Sequence, residues 1–121
     1  VCGDCLEGLK KIPDNSIDLI FTDPPFNLGK NYGGGLGDMK EDYYSWCFSW
    51  LNKLKRVLKP TGNLYIMNLP KHCAVFYNFL LGQGLIYKNW IVWIRNDNSP
   101  YVKNKNFKPN HQDILRFVKS E

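Results

Sequence analysis

Two consecutive prolines, Pro24-Pro25, stand one residue beyond the apolar run Ile17-Asp18-Leu19-Ile20-Phe21-Thr22 and limit what this chain can build there. The run is short, β-branched and aromatic, and Pro13-Asp14-Asn15-Ser16 bounds its other end, so it reads as a buried strand, parallel and central in its sheet. Each proline fixes its own φ and removes an amide donor, and the first pushes Asp23 into an extended conformation. The strand therefore ends on a stiff shelf that presents one carboxylate, a free proline carbonyl and the ring of Phe26. In open α/β sheets the carboxyl ends of strands are where ligands bind. Such a shelf suits a planar, amino-bearing ligand, with Phe26 stacked on the ring while Asp23 and the Pro24 carbonyl accept the two amino protons.

The remaining segments alternate in period. Leu6, Leu9 and Ile12 give a short amphipathic helix from Cys5 to Ile12 with Asp4 as its N-cap. Asn27 to Lys40 holds five glycines and no apolar period, and reads as a surface loop. Tyr43, Cys47, Trp50, Leu51, Leu54 and Leu58 mark one face of a helix over Asp42 to Leu58, with Lys53, Lys55 and Arg56 complementing its dipole. Lys59-Pro60-Thr61-Gly62 reads as a type I turn. Then come a buried strand at Asn63 to Leu69, a helix at His72 to Leu81 and a third strand at Leu85 to Ile94. A polar, lysine-bearing connection leads to a last strand at Gln112 to Val118. This alternation predicts an α/β fold with a mainly parallel sheet, and the last two strands, with no helix between them, pair antiparallel at one side of it. By their spacing Trp46, Trp50, Trp90 and Trp93 belong to the core.

Composition narrows the rest. At 121 residues, 44% hydrophobic and 22% charged, the chain is expected to form a single globular domain, and disordered and collagen-like classes are excluded. The net charge of +5 favours a polyanionic partner. There is no apolar run long enough to span a membrane and no basic, then apolar, leader at Val1-Cys2-Gly3-Asp4, so a cytoplasmic protein is expected. Cys2-x-x-Cys5 has zinc-knuckle spacing, but a tetrahedral site would need Cys73 and His72 to converge on it; reduced thiols are the better reading, and no metal is assigned. His72 and His111 read as hydrogen-bonding residues, with no partner that suggests an acid-base dyad.

Asp23-Pro24-Pro25-Phe26 resembles the catalytic motif of the amino-methylating, S-adenosylmethionine-dependent DNA methyltransferases, the adenine-N6 and cytosine-N4 family, whose pattern is Asp/Asn/Ser-Pro-Pro-aromatic. The similarity extends to Gly3-Asp4-Cys5-Leu6-x-x-Leu9, to Pro13 through Thr22, and to Arg56-Val57-Leu58-Lys59-Pro60-Thr61-Gly62. It takes in the end of the chain too, His111-Gln112-Asp113-Ile114-Leu115-x-Phe117-x-Lys119-Ser120, and so covers essentially the whole sequence. The resemblance implies a partial Rossmann-like methyltransferase sheet flanked by helices. It implies an enzyme of restriction-modification type, bacterial, archaeal or phage-encoded, that moves a methyl group from S-adenosylmethionine to the exocyclic amine of a base flipped from double-stranded DNA. Asp in first position, not Ser, tilts the target toward adenine N6; cytosine N4, or a non-catalytic nucleic-acid-binding or complementing subunit, are the alternatives.

Residue by residue, the resemblance assigns catalysis to Asp23, Pro24, Pro25 and Phe26, and the cofactor to Asp4, the Cys5 backbone, Asp23 and Lys30. Asn27 and Tyr32 fall where the family contacts cofactor or DNA, and Lys103 and Lys105, interleaved with Tyr101 and Phe107 and followed by Lys108, are the candidates for the DNA backbone. Each has a plainer reading beside it: Asp4 as a helix cap, Lys30 as a solvated lysine, and 103–108 as a solvated basic loop. Gly33 to Gly37 lacks the strand-turn-helix setting of a phosphate cradle, and a loop that orders on DNA fits it better. The sequence also departs from the family. The glycine-rich Asp-x-Phe-x-Gly-x-Gly segment that lines the methionine part of the cofactor is missing, Pro60-Thr61-Gly62 replaces a proline-glycine pair, and Phe26 stands where Tyr is commoner. The expectation is a catalytic-motif half, 1–121, whose cofactor half comes from another chain or from a C-terminal half beyond this sequence.

Overall fold

Asp4 begins the first helix as its residue type predicts: its carboxylate accepts the amides of Leu6 at 2.7 Å and Glu7 at 3.4 Å, which are otherwise orphaned. In this computed structural model, which describes residues 2–31, 37–95 and 110–120, the helix α1 spans Cys5–Lys10 and is followed by β1 (Ile17–Thr22), α2 (Tyr43–Val57), β2 (Leu58–Asn68), α3 (Pro70–Gly82), β3 (Ile86–Ile94) and β4 (His111–Val118). Proline at the start of α3 costs nothing, because the first helical amide has no partner to lose. Arg56 in the last turn of α2 donates to the carbonyls of Leu9 and Ile12 and to the Asp14 carboxylate, tying α1 to α2.

The sheet order is β1-β2-β4-β3. β1 pairs parallel with β2, while β4 runs antiparallel to both β2 and β3, so three strands point one way and the fourth opposes them from inside the sheet. The α/β class, the mixed sheet and the antiparallel pairing of the last two strands are as read from the sequence. β4, however, is inserted between β2 and β3. β1 is not central: it is an edge strand among the described residues, and Leu19 and Phe21 on it are 62% and 56% exposed. An apolar run reports a preference for apolar surroundings; which neighbours surround it is set by the other strands.

Lys59-Pro60-Thr61-Gly62 does not form a separate turn. It lies within β2 as an irregularity where the register with β1 jumps from Ile17↔Leu58 to Leu19↔Asn63.

The core lies on one face of the sheet. Leu64 and Ile66 of β2 and Leu115 and Phe117 of β4 pack against Cys47, Leu51 and Leu54 of α2 and Cys73, Phe76 and Leu80 of α3. On the other face Phe21 stacks on Tyr65, with ring centroids 6.4 Å apart, and no described helix covers them. Trp50 is buried as expected, whereas Trp90 and Trp93 are 38% and 50% exposed, because β3 forms the opposite edge among the described residues. All four cysteines are free thiols. Cys73 is buried, with its Sγ 3.7 Å from the Asp113 carbonyl. Among the described residues no helix is long and apolar enough to cross a membrane.

Candidate active site

The parallel strand β1 delivers Asp23 to the carboxyl edge of the sheet, where Asn68 ends β2 and His111 starts β4. Asp23, Pro24, Pro25 and Phe26 line a cavity of about 320 Å³ together with Lys30 and Gln112. Partial desolvation raises the Asp23 carboxyl above its ordinary value of 3.8. Neither that carboxylate nor the Pro24 carbonyl has a hydrogen-bond donor among the described residues, whereas the next two carbonyls are both occupied. Tyr43 Oη donates to Pro25 O at 2.6 Å, and His72 Nε2 lies 3.0 Å from Phe26 O.

The loop beyond Phe26 is fixed by residues whose importance the sequence did not announce. The carboxylate of Asp38, 1% exposed, accepts the amides of Leu28 at 2.9 Å and Lys30 at 2.7 Å. Those bonds hold its pKa below the usual carboxylate value. Asn27, at φ 55°, pairs its carboxamide with the main chain of Lys40, accepting at 2.7 Å and donating at 3.4 Å. Here Asn27 acts on its own loop. Lys30 reaches the cavity beside Asp23. Tyr32, Lys103 and Lys105, like Tyr101, Phe107 and Lys108, lie outside the described residues.

Asp4 and Cys5 stand at a second concavity, of about 570 Å³, around the start of α1. A third of about 470 Å³, lined by Gly3, Cys5, Trp46, Trp50, Pro24 and Pro25 among others, connects α1 to the underside of the shelf. The structure thus aligns Asp4 and Cys5 with Pro24, Asp23 and Lys30 along one side of the sheet edge. Gln112 is absent from the sequence assignment, although its neighbour His111 opens the matched terminal segment. An alternating strand pattern does not say which polar side chain meets the loop from another strand.

Known proteins share both sequence and fold with the chain. The profile of the DNA methylase family N6_N4_Mtase matches residues 17–121. The chain belongs to that family, the amino-methylating DNA methylases. It is 40% identical over 118 residues to the DNA adenine methyltransferase YhdJ of Escherichia coli (strain K12), covering 97% of this chain and 40% of that protein. A DNA modification methylase of Thermus thermophilus, solved in complex with S-adenosyl-L-methionine, is 27% identical with a TM-score of 0.72, over 98% of this chain and 54% of that one. The cytosine-N4-specific PvuII DNA methyltransferase shares the fold, with a TM-score of 0.75 at 24% identity over 98% of this chain and 48% of that one. The chain spans less than half the length of the curated relatives it matches.

Proposed function

We propose that the Asp23–Phe26 shelf serves transfer of a methyl group from S-adenosylmethionine to N6 of an adenine flipped out of duplex DNA. The observation that carries this reading is the pair of acceptors, the Asp23 carboxylate and the Pro24 carbonyl, that have no hydrogen-bond donor among the described residues, beside the half-buried ring of Phe26. An exocyclic amine is a poor nucleophile because its lone pair is delocalised into the ring. When each of its two hydrogens is held by one of these acceptors, the nitrogen is biased toward a pyramidal form, and its lone pair points away from the shelf. The carboxylate also faces the positive charge that develops on that nitrogen as the bond to the methyl carbon forms and the carbon–sulfur bond breaks; a neutral thioether leaves and one amine proton is then lost to solvent. Phe26 stacks on the extruded base, and stacking of that kind, worth about 1–3 kcal/mol, offsets part of the cost of unstacking it. A cavity of about 320 Å³ falls in the range of ligand sites.

The residues present also fit part of the methyl donor. The Asp4 carboxylate uses Oδ1 for its helix and leaves Oδ2 without a hydrogen bond among the described residues, and Cys5, first in α1, has an amide without an intrahelical acceptor. One acceptor next to one donor matches the amino-pyrimidine edge of an adenine ring, so Asp4 and Cys5 would hold the adenosyl end and Lys30 would stand near the reacting end. S-adenosylmethionine, when bound, supplies an electrophilic sulfonium methyl group. DNA is the polyanion that the +5 charge suits, with Tyr32, Lys103 and Lys105 as its proposed contacts. Asp in the first motif position and the 40% identity to an adenine methyltransferase favour adenine. Mass spectrometry of nucleosides from DNA methylated by the full-length protein should show N6-methyladenine; N4-methylcytosine would reassign the target, and neither product would remove the reading.

A further inference from the structure

The two prolines that stiffen the shelf also deprive it of handles. With no amides at Pro24 and Pro25, those two residues can be hydrogen-bonded only through their carbonyls. The Pro25 and Phe26 carbonyls are both taken up by ordered, buried side chains. Tyr43, 3% exposed in the first turn of α2, donates to Pro25 O at 2.6 Å and accepts at 3.1 Å from the carboxamide of fully buried Asn68, the last residue of β2. Asn68 is itself fixed, its Oδ1 accepting the Leu69 amide at 2.8 Å. His72, 3% exposed in the first turn of α3, bridges Phe26 O and the Tyr44 hydroxyl at 3.0 Å each, and its ring packs 4.8 Å from that of Tyr43.

We propose that Tyr43, Tyr44, Asn68 and His72 are positioning residues for methyl transfer. They occupy the Pro25 and Phe26 carbonyls, so that the Pro24 carbonyl is left to the substrate amine and the Phe26 ring is set at the angle the flipped base requires. The role rests on the methyltransferase reading of the shelf. The bonds also assign the imidazole tautomer. A carbonyl only accepts, so Nε2 carries the hydrogen toward Phe26 O. Burial lowers the pKa of His72 and keeps the ring neutral, so Nδ1 accepts from Tyr44 Oη. The anchors come from two helices and a strand, the kind of support that holds a loop to the tolerance chemistry needs.

The test uses the full-length protein. Tyr43→Phe removes one hydroxyl; His72→Phe keeps a planar ring but removes both bonds; His72→Gln restores a donor toward Phe26 O. Because a misplacement of about 1 Å can cost roughly 100-fold in rate, kcat per folded molecule should fall about 10- to 100-fold in Tyr43→Phe and His72→Phe. KM for DNA and for S-adenosylmethionine should stay within roughly twofold, since uniform binding is not what these residues supply. His72→Gln should recover more activity than His72→Phe, and serves in its place if the Phe variant does not fold. Independently of activity, hydrogen exchange should quicken at Phe26 to Lys30 in Tyr43→Phe, and more in a folded His72→Phe than in His72→Gln, but not at Leu115 or Phe117 in β4. Nitrogen NMR of wild-type His72 should report Nε2–H. Unchanged exchange at Phe26 to Lys30, or an Nδ1–H tautomer, overturns the clamp; faster exchange with unchanged kcat overturns its role in transfer. A wild-type protein that methylates no DNA instead refutes the methyltransferase reading, and the catalytic role with it.

Discussion

Asp23, the proposed amine acceptor, is partly desolvated at the end of β1. Its folded-state pKa lies above the 3.8 of an ordinary aspartate because of partial burial, with no donor among the described residues to offset it. The sign for stability follows. The protonated carboxyl is the better tolerated form, so its contribution to stability is complete below 3.8 and is lost as pH rises through the folded value. Asp23→Asn should therefore melt higher than the wild type at neutral pH, and the gap should close as pH falls toward 3.8. The same substitution, or Asp23→Ala, should lower methyl transfer at least about 10²-fold, the scale for removing one preorganised electrostatic partner. Paired thermal melts and methyl-incorporation rates check both halves; turnover at the wild-type level would remove Asp23 as the amine acceptor. Stability and activity pulling in opposite directions at one side chain is a common mark of a functional site.

Among the elements, β1 and β2 matter most, because their pairing sets where the shelf stands. Leu58 and Asn63 of β2 face Ile17 and Leu19 of β1, and the four residues between them are absorbed by the irregular start of β2. Gly62 makes this possible. A Cβ there would lie 2.7 Å from Leu58 Cδ1, 2.9 Å from Ile17 O and 3.1 Å from Asp18 O, and two of those three atoms are strand backbone that cannot move aside. Gly62→Ala should destabilise by about 1–3 kcal/mol through overpacking. Gly82→Ala, at the end of α3 where an added Cβ meets nothing within 4 Å, should be neutral or stabilising by up to about 1 kcal/mol. Urea denaturation of both variants measures the contrast; equal stabilities would mean that the close approach of β1 and β2 is not obligatory. On the other side of the shelf, α2 and α3 carry apolar faces that any amphipathic reading would find. Their first turns carry the polar side chains that reach Pro25 and Phe26.

Across the whole molecule, the carboxyl edge of the sheet gathers the shelf, the loop anchored by Asp38 and the amino end of β4 with Gln112. Toward α1 the same edge continues to Asp4 and Cys5. These groups suit the adenosyl end of S-adenosylmethionine, but the sequence contains no Phe-x-Gly-x-Gly segment to line its methionine end. Titration calorimetry of the 121-residue chain with S-adenosylmethionine should accordingly give no heat, or a dissociation constant weaker than roughly 0.1 mM. Submicromolar binding would show that the described concavities suffice for the whole cofactor.

What the sequence determined by itself is local. Pro24-Pro25 forces a stiff end on the apolar run wherever that run sits, because φ restriction and lost amides act within two or three residues. Asp4 caps α1 for the same reason, and the amphipathic spacing of α2 specifies its buried face whatever it packs on. The identity of the shelf, its carboxylate and its aromatic were legible at that level. The tertiary structure alone decided that, among the described residues, β1 lies at an edge, β4 enters between β2 and β3, and Trp90 and Trp93 remain exposed. It also decided which groups hold the shelf: Tyr43 is 18 residues from Pro25, and His72 is 46 from Phe26. Such contacts form only when strand order and helix packing have closed long stretches of chain, and side-chain type at a single position does not encode the partner that closure brings to it.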